Sequence, residues 1–562
     1  MLKIKANEKD FETPILYAPC FKNNVSAIFR LIALKPKPTQ MMLNHFEVYC
    51  QSLQNEFTII LGDFTVDRNQ WFNHLERKKQ DEVFQFVTTD DQLIDHGEFL
   101  KNAHVYENFV KSEKQFLDNG EMPKTRCICA PSAYVKYIMG PVVLEMERLF
   151  KEKMFGYKVP QNWQLMEIEL NKYHDEGFQY TTQLDGSGFD LTQHPELKRI
   201  VDHKIYNLIP EDGLHTSIEN FYNIYSVIER EVKVMIRTGG KNVSVGRIVV
   251  KGQTFSGSPD TTLMNTVRMA IYNRYVHYLA GIEEETDYKL WVKGDDVVVF
   301  YKDPKNQDKA LQYYKNVFAD KSQVDYTTVR NVGAHKHICV KCTKEYVHDH
   351  PFKNAEHEQY PNQCPYEDCE WYHNEINPTN SRIILLEHGL GQIAKFYKVG
   401  DLTDIDFCSI NVIRTLEQKY KIIRKIENIQ LKQNYSLKAT HYNQAQFNLY
   451  NHELLTAAEK WLGGDNILRR YYSKIHLHNP FLAKIYQKYQ EFREKCKPSS
   501  KVKLKLENLL PDKGYLNRIK DYEDHLLDER VSDTTLTDID IALWISSKKD
   551  NELYKNTILA VS

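Results

Sequence analysis

The stretch VKGDDVVVFY, residues 292–301, sets two adjacent carboxylates, Asp295 and Asp296, between apolar runs. Two like charges side by side repel one another unless a cation sits between them and further ligands. A hundred or so residues earlier, FQYTTQLDGSGFDLTQHPELKRIVDHKIYNLI supplies Asp185 and Asp190. If Asp185 and Asp295 shared two hard cations about 3.5–4 Å apart, those ions could activate an attacking oxygen and stabilise a leaving phosphate oxygen. Between the two acidic stretches lies GQTFSGSPDTTLMNTVRMAIYNRYVHYLAG, in which Ser256, Gly257, Thr261 and Asn265 make a small polar surface.

The elements that must position these groups follow from residue type. Val, Phe and Tyr around Gly294 and the aspartates predict a β-hairpin with the carboxylates at its tip, and an Asp-rich turn taken alone is simply a solvated turn. Phe178 to Leu184 reads as a strand delivering Asp185 at its end. Gly186 and Gly188 then form a loop carrying Asp190, and Pro195 suits the first turn of a helix that buries Leu197, Ile200 and Val201. After the Gly/Ser/Pro loop, Asp260 is a plausible N-cap for a helix with Leu263, Val267, Ala270 and Ile271 on its buried side. Thr261 and Asn265, four apart, share one face of that helix.

Taken together, in this order and at these spacings, Asp185-x4-Asp190, Ser256-Gly257-x3-Thr261-x3-Asn265 and Gly294-Asp295-Asp296 resemble motifs A, B and C of the RNA-dependent RNA polymerases of positive-strand RNA viruses. KTRCICAPSAYVKYIMGPVVLEMERLFKE resembles the basic finger motif F of tombusvirus-like and nodavirus-like polymerases, with Lys124 and Arg126 meeting the incoming triphosphate. Ala130 and Pro131 stand where that group has a further basic residue. GLGQIAKFYKVG is similar to the end of motif D, DFCSINVI to motif E, and WFNHLERKKQDEVFQF to motif G at the template entrance.

The resemblance implies an α+β right-hand fold of fingers, palm with an antiparallel sheet, and thumb, with a helical C-terminal lobe. Fingers are expected over 1–165 and 205–245, palm over 166–204 and 246–412, and a helical thumb and extension over 413–562. It further implies nucleotidyl transfer from NTPs to an RNA 3′ end, a reaction governed by positioning and charge neutralisation. Asp185 and Asp295 would ligate two Mg²⁺ or Mn²⁺ ions. Asp296 is the lesser ligand, because its side chain should point away from its neighbour's along a strand. Lys395 is a candidate general acid for the pyrophosphate leaving group, with Lys398 as the second choice. Asp190 and Asn265 suit a ribose 2′-hydroxyl, which separates an RNA-making enzyme from a reverse transcriptase with a similar metal pair. A non-catalytic RNA-binding scaffold is the alternative from another class.

Within the motif D region some sixty residues intervene, holding Cys339-x2-Cys342 and Cys364-x4-Cys369 with His335, His337, His348, His350 and His373 nearby. Such pairs in an intracellular protein suggest a tetrahedral structural zinc over 322–386, the other possibility being four free buried cysteines. An insert so poor in apolar residues could hardly stabilise itself without a metal.

The remaining bounds are compositional. Of 562 residues, 42% are hydrophobic and 27% charged, which excludes a disordered chain. Basic and acidic residues nearly balance at 74 and 76, so any RNA channel must be a local segregation of charge. No apolar run reaches the roughly 18 residues of a membrane span, and MLKIKANEKDFETP lacks a signal-peptide core. Ten cysteines are too few for a disulfide framework. The expectation is an intracellular enzyme acting on RNA template, product and NTPs, in host cytoplasm, at a replication complex recruited to membranes by other viral proteins.

Overall fold

A computed structural model describes residues 2–3, 15–16, 31, 36–75, 77–84, 104–111, 114–115, 126–158, 163–209, 230–238, 241–320, 335–338, 345–348, 384–385, 388–399, 402–415, 418–424 and 435–436. Helix α1 (Gln40–Ser52) starts at Thr39, whose hydroxyl accepts from the Met42 N–H, and α2 (Gln54–Leu61) follows directly. Strands β1 (Val105–Val110) and β2 (Cys127–Pro131) lead to α3 (Ala133–Lys153), capped by Ser132, and α4 (Trp163–Asp175). Then come β3 (Tyr180–Gly186), β4 (Arg230–Thr238) and β5 (Lys241–Val250). After α5 (Thr261–Ala280), the hairpin strands β6 (Tyr288–Lys293) and β7 (Asp296–Tyr301) precede α6 (Pro304–Val317) and β8 (Phe318–Asp320). Strands β9 (Gln392–Val399), β10 (Ile410–Arg414) and β11 (Tyr420–Arg424) complete the set used below.

Two sheets organise these elements. The first runs β8-β9-β3-β7-β6, antiparallel throughout except for the parallel β8–β9 pair. The second runs β2-β1-β4-β5 and joins segments from both sides of β3, the two stretches assigned above to the fingers. Strand β5 crosses the expected boundary at 245/246 without a break.

Helix α5 is buried on every side, not on one face as its apolar pattern suggests. Leu263, Met264, Val267, Met269 and Ile271 are inside, and so are Asn265, Thr266, Arg268, Asn273 and His277. Asp260 occupies the N-cap position, but its side chain makes no capping bond; the chain leaves the helix at Gly281, φ +60°, whose N–H returns to the carbonyls of His277 and Tyr278. The buried polar side chains are bonded. His277 Nδ1 lies 2.7 Å from the Asn273 carbonyl and so carries the proton, which leaves Nε2 to accept from the Tyr301 hydroxyl at 2.9 Å.

His277 also stacks on Tyr288, with ring centroids 3.8 Å apart, and burial depresses its pKa to about 4. An unfolded histidine titrates near 6.5, so the folded state favours the neutral ring. Stability from this group is fully present above pH 6.5 and is lost as pH falls toward 4, by about 3 kcal/mol at pH 4. Urea unfolding of the parent and of His277→Gln at pH 7 and pH 4 should show the acid loss smaller in the variant by that amount. Equal acid losses would remove His277 from the account.

A second core lies on the other side of the hairpin. Trp291 and Phe300 pack with Leu170, Tyr173 and Phe178 and with Phe407, Ile410 and Val412 of the β10–β11 region. Polar clamps fix this layer to α4. Asn171 exchanges bonds with both the N–H and the carbonyl of Tyr420, and buried Glu167 accepts from Lys421 Nζ at 2.7 Å and from the Ile422 N–H at 3.0 Å. On β3, Gln183 accepts from the Asp406 N–H and donates to the Asp404 carbonyl. Within the stretch expected as a helical lobe, Ile413–Arg414 and Tyr420–Arg424 are therefore strand, bonded as a hairpin and docked on α4.

The expected zinc insert contributes the strands His335–Ile338, Glu345–His348 and Ile384–Leu385, which pair as one small sheet. Cys339, Cys342, Cys364 and Cys369 lie outside the described residues, as do residues 425–562 of the expected C-terminal lobe apart from Tyr435–Ser436, paired with Leu2–Lys3. Among the described residues, no helix is long and apolar enough to cross a membrane.

Candidate functional site

Strand register assembles the acidic centre. Asp185 on β3 lies opposite Asp296 on β7 and, on its other side, opposite Lys395 on β9. Directly opposed residues of antiparallel strands present their side chains to the same face. Three neighbouring strands thus carry Asp296, Asp185 and Lys395 in one row. Asp296, expected to turn its side chain away from that of Asp295, shares the face of Asp185. Lys398 pairs with Thr182, three residues further from the carboxylates, and Lys395 is exposed.

The hairpin tip is a two-residue loop, Gly294 and Asp295, closed by the Lys293–Asp296 pair. Gly294 has φ +64°, which a side chain would resist, and its N–H donates to Thr266 Oγ1 at 2.9 Å, so α5 holds the tip. Gly186 has to be small for a different reason: a β-carbon there would stand 2.9 Å from the β-carbon of Asp295. Asp295 keeps an exposed side chain, yet the protein packed beneath it desolvates the carboxyl, and the charges of Asp296, Asp190 and Asp185 add to the effect. Its pKa is raised to about 6.

Asp296 is also raised, by burial first and then by Asp406 and Asp185, against hydrogen bonds from the thiol and backbone N–H of Cys408. That thiol is pushed up in turn by burial and by Asp296. Cys408 and Ser409 both adopt positive φ, +50° and +68°, so the turn entering β10 is bent to bring Cys408 to Asp296.

A second cluster adjoins the first. Gly188, φ +64°, opens the short turn Phe189–Thr192 that carries Asp190. Asn265 Nδ2 donates to Asp190 Oδ1 at 2.5 Å, and the Thr254 N–H donates to the Asp190 carbonyl at 2.7 Å. Behind Asn265, the fully buried Arg268 pairs with Asp202, which sits in the π-helical turn Arg199–His203. Thr261 Oγ1 donates to the Phe255 carbonyl and Ser256 Oγ to the Cys127 carbonyl on β2. Gly257 rests on the same strand, where a β-carbon would come within 2.4 Å of the Cys129 carbonyl. Arg126, exposed, immediately precedes β2; Lys124 lies outside the described residues.

The structure therefore brings together Asp185, Asp295, Asp296 and Lys395, and beside them Asp190 with Asn265, while Ser256, Gly257 and Thr261 shape the loop against β2. The donor set of the first cluster, crowded carboxylates of which Asp295 and Asp296 are held above their ordinary pKa by burial and by neighbouring acidic charge, suits a hard divalent cation. Among the described residues, no group of three or more His, Cys, Asp or Glu already stands in metal-holding geometry. Sequence reasoning missed Arg268, Asp202, Thr254, Thr266 and Cys408. Arg268 left one signal, its place three residues after Asn265, on the same side of the helix and flanked by Val267 and Met269.

Residues 71–332 match the family model described as viral RNA-dependent RNA polymerase. The matched stretch, just short of half the chain, includes Asp185, Asp190, the Ser256–Asn265 segment and the Asp295–Asp296 pair, and it ends before Lys395. No curated protein matches the chain. The match supports RNA-directed RNA polymerase activity, and the family implies a right-hand fold, with which the mixed helix and sheet of the described residues agrees.

Proposed function

We propose that the chain adds ribonucleotides to an RNA 3′ end under the direction of an RNA template, in the replication and transcription of a viral genome, and that it is akin to the tombusvirus-like and nodavirus-like enzymes. The observation that carries the reading is the row Asp296, Asp185, Lys395 with Asp295 at its edge: like charges opposed across strands are unfavourable without a cation between them. The matched family uses divalent ions such as Mg²⁺ or Mn²⁺. Two such ions, held by Asp185 and Asp295, would lower the pKa of the attacking 3′-hydroxyl and neutralise charge on the leaving pyrophosphate.

The chain's own groups do the rest. Asp296, bonded by Cys408, adds negative charge behind the ligands. Lys395 would hold the proton for the leaving phosphate oxygen on Nζ. Lys124 and Arg126 would meet the triphosphate from the finger side, and Ser256, Gly257 and Thr261 would shape the nucleotide's floor. Asp190 and Asn265 would read the 2′-hydroxyl. Replication proteins at a host membrane are its proposed partners, and a structural zinc in 322–386 remains part of the reading.

Incorporation of labelled nucleotides on an RNA template with Mg²⁺ or Mn²⁺, primed and unprimed, tests the proposal. RNA binding with no synthesis under any of these conditions would leave a scaffold, and efficient use of dNTPs would indicate a reverse transcriptase. Asn265→Ala should lower the ratio of kcat/KM for GTP over dGTP by about tenfold, since a site built to bond a hydroxyl rejects the analogue lacking it. A uniform fall for both nucleotides would reduce Asn265 to a support of the helix. Metal analysis of purified protein should find one tightly held zinc, lost in Cys339→Ser/Cys364→Ser; protein free of zinc would mean the insert is held by other means.

A further inference from the structure

We infer that Arg268, anchored by Asp202, positions the sugar-reading pair by dictating which end of the Asn265 amide faces Asp190. The inference rests on the 2′-hydroxyl role proposed above. A side-chain amide presents an acceptor oxygen on one side and a donor NH₂ on the other, and either end fits the same space. Its neighbours must choose. A guanidinium can only donate, and Arg268 Nη2 donates to Asn265 Oδ1 at 2.7 Å. The oxygen is therefore held toward Arg268, and Nδ2 is left to donate to Asp190 Oδ1. Turned the other way, the amide would set donors against the guanidinium and its oxygen against the carboxylate.

Arg268 itself has no room to turn. It is wholly buried; Nη1 donates to Asp202 Oδ2 at 2.9 Å and Nη2 donates also to Thr254 Oγ1 at 2.9 Å. The backbone N–H of Thr254 donates to the Asp190 carbonyl, which closes a ring of bonds through Asp190, Asn265, Arg268 and Thr254. Burial disfavours the guanidinium charge, but Asp202 and the surrounding acidic groups outweigh it and hold the group above its ordinary pKa. The orientation is thus imposed by a permanent charge. Asp190 is presented in one position to a 2′-hydroxyl, which would donate to it, and a deoxynucleotide brings no such donor.

The test measures GTP and dGTP in two ways on the full chain with template RNA, as calorimetric affinities and as kcat and KM for incorporation. Arg268→Met/Asp202→Leu removes both buried charges together, which avoids stranding either one. It should lower the GTP-to-dGTP ratio about tenfold, with a smaller fall in kcat for GTP. Thr254→Val, nearly isosteric, should lower the ratio roughly twofold to threefold by loosening Arg268, and Arg268→Lys should keep most of it. A folded double variant, or Thr254→Val if the double does not fold, that retains the parent ratio would overturn the inference, as would a parent that binds both nucleotides equally. If the parent prefers GTP in binding but incorporates neither, and the variants erase that preference, the catalytic reading falls and the role of Arg268 stands.

Discussion

Asp295→Asn should lower RNA synthesis by about a thousandfold or more while RNA affinity stays within about twofold of the parent. The substitution keeps the size of the side chain and removes its charge. At the hairpin tip, Asp295 lies close against Gly186 and within reach of the charges of Asp185, Asp190 and Asp296, all of which raise its pKa. A site strained by its own negative charge is one that a divalent cation relieves, and the amide weakens that attraction where nucleotidyl transfer needs it most. RNA affinity comes chiefly from contacts of basic residues with phosphates and does not depend on this carboxylate. Single-turnover incorporation and a filter-binding isotherm, run on the same preparation, separate the two quantities. Turnover within tenfold of the parent would remove Asp295 from the metal site.

Trp291→Ala should cost about 3–5 kcal/mol of stability and lower the melting temperature by roughly 3–4 °C. Trp291 is among the largest fully buried side chains, on β6 of the hairpin that carries Asp295 and Asp296, with Phe300 at 4.9 Å and Phe407 at 5.9 Å between ring centroids. Its removal opens a cavity between the sheet and the β10 layer. That layer also supplies Cys408 to Asp296, so activity should fall further than the unfolded fraction alone explains. Thermal unfolding and activity at 15 °C below the variant's midpoint provide the check. A loss under about 1 kcal/mol would mean that the layer collapses onto the space without penalty.

The acidic centre was legible in sequence because its parts obey local rules: Val-rich strands around Gly294, a strand ending at Asp185, and Pro195 opening a helix whose Leu197, Ile200 and Val201 are all buried. What stayed hidden depends on pairing and on burial. The position of Asp296 opposite Asp185 is a property of strand register, which no single strand encodes. Arg268 and Asp202 read as solvated charges, since such residues are rarely inside unless paired, and their partners lie 66 positions apart. The π turn adds to the difficulty, because it buries Ile200, Val201 and Asp202 in succession where a regular helix would rotate one of them outward. Ile413–Arg414 and Tyr420–Arg424 fall in the stretch expected as a helical lobe, but they are strand, held by the side-chain clamps of Asn171 and Glu167, groups some 250 residues away.

The missing β-carbon of Gly257 has a kinematic consequence. With its backbone seated against Cys129 and Ala130 and Ser256 tied to Cys127, the Ser256–Gly257 loop has no clearance on the side of β2. It cannot swing toward β2 on its own; in that direction it moves only by pushing the strand, and with it the segment that begins at Arg126. If, as proposed, these surfaces are the floor under the sugar and the wall facing the triphosphate, the two would be geared as one moving part, and an adjustment to the shape of an incoming nucleotide would be transmitted at once to the groups that meet its charge.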